Sequence, residues 1–470
     1  MTLLSLLITP LVLRMNDFFK IGRHAFSVLA GQWAAVGYGI VDNAIAGHID
    51  KTALSALSLG IAIYMSVFIG LMGIVQAILP IAGQLYGAKR YTEIGYQCRQ
   101  TFYLAIGVSI IGILCLMFPG PLLQLADAPP EKEALVRDYL HMLALGFVPA
   151  VLFRIYASLS QAISRPLFVT VLQIIGLAIK IPLTWLLAVQ WEMGIAGCGV
   201  STTMLNTLFF IIAVVMLIKH PVYRPFHIIQ RLEPPAAKDQ VALLKLGIPM
   251  GLSYFIEVTG TTFMAIFIAR FHSDAYASGH QIVGSIAGAV YMIPLSISIA
   301  SSAIVAQYLG ACNYIAARSA GYKGITMAII CAIAAGLLVY FCQQPIIGIY
   351  TTDPDVIVVA SSLIIFIALY QLADATQITA AFILRAYKIA ILPTILYAVA
   401  LWGVGLGGGY TIAFNLTGHS PEFLQGPAGF WFGNAVSLAA IAIALVMLFN
   451  HISKKLIAEE KRLASEAIPV

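Results

Sequence analysis

Four ionisable side chains stand inside stretches that otherwise carry almost no charge: Asp42, Lys180, Glu257 and Asp374. A charge at the centre of a bilayer costs about 2.5–3.5 kcal/mol on insertion scales, so such residues mark an ion or substrate path by default. Tyr254 lies three residues before Glu257 and Thr261 four after it, which places all three on one helical face. Asp374 shares a face with Tyr370 and Gln377 in the same way. Two carboxylates among hydroxyl and amide oxygens form a hard, oxygen-rich set. Glu257 and Asp374 are therefore candidate ligands for Na⁺, and the same pair could hold a proton. The plainer alternative is that each is neutral or satisfied by a neighbouring Ser or Thr. Two intramembrane acids in one half of a chain favour the functional reading. Lys180 has two readings: it pairs with Asp42 and takes the place of a cation, or it snorkels from a helix end to the interface. Arg154 reads as a structural residue. Tyr254, Phe255, Phe263, Met264, Tyr291 and Met292 could line a cavity for flat, cationic molecules.

The elements that must carry these residues follow from composition. The chain has 470 residues, of which 60% are hydrophobic and only 10% charged. Average soluble domains carry roughly a quarter charged residues, so a soluble protein of this size could not wet its surface. Disorder is excluded by the same arithmetic. The expected class is an all-α polytopic membrane protein. Uncharged stretches predict twelve transmembrane helices, near 25–47, 53–79, 101–121, 139–163, 167–189 and 197–218, then 243–269, 277–303, 322–344, 356–382, 389–411 and 429–450. The organisation expected is an N-terminal lead-in at 1–24, a six-helix bundle at 25–218 and a cytoplasmic linker at 219–242. A second bundle follows at 243–450, then a cytoplasmic tail at 451–470.

With both termini inside, 20 of the 26 Lys and Arg fall on the cytoplasmic side, Arg385 and Lys388 among them in an inner loop. Only Lys51, Lys132, Arg137 and Arg270 fall outside, as the positive-inside rule expects. The net charge of +6 reflects those loops and not a nucleic-acid partner. Internal repetition supports two halves. Gln84-Leu-Tyr-Gly-Ala-Lys-Arg-Tyr91 recurs as Gln307-Tyr-Leu-Gly-Ala-Cys-Asn-Tyr314 at an offset of 223. Gln161-Ala-Ile-Ser-Arg-Pro166 stands opposite Arg385-Ala-Tyr-Lys-Ile-Ala390 at an offset of 224. Gly194-Ile-Ala-Gly197 matches Gly426-Pro-Ala-Gly429 at 232. Six spans per half give a parallel repeat, which places a substrate site between two bundles that rock to expose it alternately.

In these residues the sequence resembles the multidrug and toxic compound extrusion (MATE) family, in its NorM-type branch. The matching pieces are Val41-Asp42-Asn-Ala-Ile-Ala-Gly47, Leu79-Pro-Ile-Ala-Gly-Gln84-Leu-Tyr-Gly87 and Gly194-Ile-Ala-Gly197-Cys-Gly199. Later pieces are Leu246-Gly-Ile-Pro249 with Phe255-Ile-Glu257, His280-Gln281, Tyr370-Gln-Leu-Ala-Asp374-Ala-Thr-Gln377 and Gly429-Phe-Trp431. The resemblance implies a V-shaped pair of bundles that exports organic cations in exchange for Na⁺ or H⁺. It places the coupling ion at Glu257 and Asp374, with help from Tyr291, and links Asp42 to protonation or ion binding in the N-terminal half. Tyr254, Thr261, Tyr370, Gln377 and Gln281 are the candidate cavity residues. Related sequences tend to carry Asn at the two positions held here by Lys180 and Thr184. An ammonium there directs the coupling-ion assignment to the C-terminal pair.

The expected partners are small organic cations such as drugs and dyes, with the lipid bilayer as solvent and a monomer as the working unit. The expected location is a bacterial inner membrane. No organic cofactor is implied, only Na⁺ or H⁺ as coupling ion. Signatures for phosphate binding, zinc or a nucleophilic serine (GxxxxGK[ST], HExxH, GxSxG) are lacking, and the six cysteines are scattered, so an enzyme is not expected. The nearest rival is a lipid-linked oligosaccharide flippase of the same architecture. It would need a strongly cationic cavity, for which only Arg154 and Lys180 are candidates.

Overall fold

The matched turns of the two halves share one backbone device. In the computed structural model, which describes residues 3–125, 129–229 and 233–466, Lys89 and Cys312 both adopt a left-handed conformation (φ 58° and 55°). The following amides, of Arg90 and Asn313, donate back five residues to the carbonyls of Leu85 and Tyr308, each at 2.9 Å. This is a Schellman ending, in which orphan helix carbonyls find donors without continuing the helix. The second match repeats it: Ser164 and Lys388 are left-handed (57° and 60°). Arg165 bonds Ser160 O at 2.8 Å, and Ile389 bonds Leu384 O at 2.9 Å. Gly194 and Gly426, in the third match, are also left-handed, at 58° and 75°, but stand where a helix begins. Two of the three sequence matches thus repeat a helix stop, and the third repeats a helix start.

Those stops punctuate a chain whose described residues form helices and no strands. The first half holds α1 (Leu3–Ile49), α2 (Lys51–Val75), α3 (Ile78–Gly87), α4 (Tyr91–Met117), α5 (Gly120–Leu125), α6 (Pro130–Leu145), α7 (Phe147–Ala162), α8 (Leu167–Trp185) and α9 (Gly194–Lys219). The second holds α10 (Ala237–Ala269), α11 (Asp274–Gly310), α12 (Tyr314–Phe341), α13 (Gln343–Tyr350), α14 (Pro354–Ala386), α15 (Ile391–Ala398), α16 (Gly409–Ala413) and α17 (Pro427–Glu466). Among the described residues ten segments are long and apolar enough to cross a membrane. An eleventh is the pair α6 and α7, bent by 50° around Gly146. The more polar α1, with Asp17, Lys20, Arg23, His24 and Asp42, brings the order to twelve.

Several spans are interrupted where the pattern predicts a single helix. The second breaks at Gln76 and Ala77 between α2 and α3. The fifth span of each half loosens into π-helical turns, at Leu186–Gln190 after α8 and at Val399–Gly408 between α15 and α16. Such turns free backbone groups and recur at functional sites. The second π segment packs closely on α17. A Cβ on Gly433 would sit 2.8 Å from Gly405 O and 2.8 Å from the Cα of Gly409. Only small residues allow two helices to approach so nearly.

Residue contacts divide the chain differently from the linker. Ala30–Phe255 forms one unit, and the chain up to Leu29 joins Ile256 onward in the other. The boundaries fall inside α1 and α10, because each long helix is held by different neighbours at its two ends. Near the start of α1, Ile21 is fully buried in the core that also holds Ile304, Met327 and Leu445. Asp17 accepts from Tyr308 Oη and pairs with Lys323, both at 2.7 Å. Residues 3–24 are therefore the first turns of α1 and not a separate lead-in. At the start of α10, Gly247 and Gly251 lie against the α2 backbone at Ile74 and Gly70. The expected tail likewise continues α17 as far as Glu466. The described linker residues Glu233 and Asp239 are docked along α4. Arg99 forms a bidentate pair with Glu233, while Tyr96 and Gln97 donate to Asp239.

Candidate functional site

In the unit that contains Ile256 onward, α10, α11 and α14 bring Glu257, Tyr291 and Asp374 into one cluster. Tyr291 Oη donates to Glu257 Oε2 at 3.3 Å. Glu257 and Asp374 are near enough to act on each other's charge, and Tyr370 lies within the field of both. Asp374 is 3% exposed, and its Oδ2 has no hydrogen-bond partner among the described residues. A buried carboxylate oxygen left without a donor is costly and unusual, and it is resolved by a proton or a cation. Gln377, one turn beyond Asp374 on the same face, is also buried.

Other predicted cavity residues are placed elsewhere. The hydroxyl of Thr261 turns back onto its own helix, donating to Val258 O at 2.9 Å, and the residue is exposed. Gln281 on α11 is exposed as well. Tyr254 groups with the other unit, where its hydroxyl donates to Gln76 Oε1 at 3.4 Å beside the break between α2 and α3. Tyr254, Glu257 and Thr261 all lie on α10 at helical spacing. That spacing did not set how far each of them turns toward the acids.

Two residues near the acids escaped the sequence reading. Arg385, assigned to an inner loop, closes α14 at 7% exposure, with its guanidinium 4.4 Å from the centre of the Phe382 ring. It acts electrostatically on Glu257. Tyr397 on α15 is 5% exposed and lies within the fields of Glu257, Asp374 and Arg385. The available signal for Tyr397 was a lone hydroxyl in an uncharged span. For Arg385 it was its place in a repeated turn, which suggested a loop and concealed its burial.

The unit Ala30–Phe255 holds a different arrangement. Lys180 Nζ lies 2.8 Å from Asp42 Oδ1, with Lys180 1% and Asp42 4% exposed. The ammonium also donates to Ser201 Oγ at 3.1 Å and to Thr202 Oγ1 at 2.8 Å. One ion pair and two hydrogen bonds thus hold an ammonium that is almost fully buried, so the side chain does not snorkel to the interface. Thr184 and Ser201 share a further hydrogen bond of 2.8 Å, one turn from Lys180.

Comparison with known proteins bears on this geometry. The MatE family model matches residues 28–186 and 249–411, which carry Asp42, Lys180, Glu257, Tyr291 and Asp374. The chain belongs to the MatE family. A relative in Aromatoleum aromaticum, named a probable multidrug resistance protein NorM, is 35% identical over 457 residues, covering 95% of this chain and 97% of its own. Among solved structures, the eukaryotic MATE transporter AtDTX14 superposes with a TM-score of 0.85 at 18% identity, over 94% of this chain and 98% of that one. An outward-facing MATE family transporter of the MOP superfamily does so at 0.86 and 14%, over 94% and 97%. As a MatE member the chain is a membrane transporter and not an enzyme, and its fold is the twelve-helix MATE fold.

Proposed function

We propose that this MatE chain is a secondary active multidrug efflux antiporter. It exports small organic cations in exchange for Na⁺ or H⁺ by alternating access, in a bacterial inner membrane with both termini cytoplasmic. The observation that carries the reading is the orphan Oδ2 of buried Asp374 beside Glu257. This pair has acceptor capacity to spare, whereas the acid of the other unit is already neutralised by Lys180. The mechanism is competition. Coupling ion and cationic cargo contend for the two carboxylates, so ion entry from outside discharges the cargo there. Tyr291 orients Glu257, and Tyr370 and Tyr397 supply hydroxyl and ring faces to a cation held nearby. The names of the relatives support the drug-efflux part of this reading. In everted vesicles, Glu257→Gln and Asp374→Asn each abolish ethidium transport on this reading; wild-type rates in both variants refute it. Liposomes given an Na⁺ gradient and then an H⁺ gradient identify the coupling ion.

A further inference from the structure

The unit Ala30–Phe255 carries a second cation within its spans, Arg154 of α7. Unlike Lys180 it enters no ion pair among the described residues, and none of them accepts a hydrogen bond from it. A guanidinium at membrane depth is costly without an acceptor. Arg154 is partly exposed and lies on the same face of α7 as Phe147, seven residues earlier. The Phe147 ring packs on Phe68 of α2, with centroids 5.7 Å apart. These helices belong to the second and fourth spans, so they run the same way. At ~1.5 Å per residue, Arg154 is about 10 Å along α7 from Phe147, and Gln76 about 12 Å along α2 from Phe68. Arg154 and Gln76 therefore stand at one level, beside the break between α2 and α3.

Tyr254 joins them there. Its hydroxyl donates to Gln76 Oε1 at 3.4 Å and lies within electrostatic range of Arg154. Gly73 leaves room for the ring, since a Cβ there would be 3.0 Å from Tyr254 Cδ2. With Oε1 engaged, Gln76 has its amide nitrogen to spare. The residue is 4% exposed, and Nε2 has no partner among the described residues. A buried amide without an acceptor is as unusual as the orphan oxygen of Asp374, and it calls for the opposite partner. The carboxylate pair has acceptors in want of a cation; this set has a guanidinium and an amide in want of an acceptor.

We propose that Arg154 and Gln76, with Tyr254 orienting the amide, bind the carboxylate of a small organic acid. Both donors are planar forks, which match the two oxygens of a carboxylate better than a spherical chloride. One unpaired guanidinium balances one negative charge, because Lys180 is already taken by Asp42. A pyrophosphate would need more. The site shares no residue with the Glu257–Asp374 cluster and is independent of the antiport reading.

The test is equilibrium binding of radiolabelled benzoate to the purified full-length chain at constant Na⁺, with unlabelled acetate, chloride and pyrophosphate as competitors. One saturable site is expected, displaced by acetate and only weakly by chloride or pyrophosphate. Arg154→Gln weakens benzoate by roughly thirtyfold, as for a charge-assisted bidentate pair, and Gln76→Leu by about fivefold. Arg154→Lys keeps the charge but loses the fork, so it erases the preference over chloride; it serves if the glutamine variant does not fold. Asp374→Asn leaves benzoate binding unchanged, whatever its effect on efflux. The proposal is overturned by absence of saturable binding, or by chloride or pyrophosphate competing as well as acetate. Wild-type benzoate affinity in folded Arg154→Gln or Gln76→Leu, a preference over chloride retained in Arg154→Lys, or loss of binding in Asp374→Asn overturns it equally.

Discussion

The two halves repeat their helix stops but not their charges. Around Asp42 an acid meets an ammonium, and Ser201 and Thr202 take the remaining donors. Around Asp374 an acid meets a second acid, one tyrosine donor and an oxygen with no partner. The first set closes on itself; the second needs something from outside. A parallel repeat therefore supplies two equivalent scaffolds on which one half can be spent on stability and the other on exchange. Lys180 makes the difference. Its ammonium supplies the positive charge beside Asp42, and no such charge stands beside Asp374 on the proposed reading.

Breaking the open site has the largest effect on transport. Asp374→Asn is expected to lower ethidium efflux by about two orders of magnitude, near 2.7 kcal/mol of lost driving interaction, measured in everted vesicles. Folding should survive, since the change neutralises an acid without leaving a charge unpaired. Breaking the closed site should do the reverse. Lys180→Met strands Asp42 in the core and is expected to cost about 3–5 kcal/mol of stability, read as a large fall in Tm in detergent. Asp42→Asn with Lys180→Met should recover most of that loss. A single Lys180→Met variant with unchanged Tm would remove the structural half of the comparison.

Smaller changes sharpen it. Tyr291→Phe deletes the donor to Glu257 and should weaken coupling-ion affinity by less than about tenfold, in line with ~0.5–1.5 kcal/mol for one hydrogen bond. The measurement is the ion concentration that half-maximally drives efflux. Ser201→Ala removes one of three partners of Lys180 and is expected to cost about 1 kcal/mol in stability, with little change in transport. An efflux defect larger than its Tm shift would place the closed site in the exchange cycle after all.

Much of this contrast was legible in residue order. Scarcity of charge made Asp42, Lys180, Glu257 and Asp374 visible, because hydrocarbon penalises each of them whatever the fold. The helix count follows from uncharged lengths, and the three repeated turns are visible as residue matches. Less legible were Tyr397 and Arg385. Burial of an arginine at a helix end depends on what packs above it, and a single tyrosine in an apolar span carries no spacing signal.

Residue order by itself determined the spans, the stops between them and the four anomalous charges. These depend on local hydropathy and backbone conformation, which each segment carries with it. Tertiary structure alone decided that Lys180 reaches Asp42, that Tyr254 turns to Gln76 and that Thr261 bonds its own helix. It also decided that α1 and α10 each divide their contacts between two units. Those outcomes depend on the rotation and depth of one helix against another. A period of 3.6 residues names a face but does not say what the face will meet.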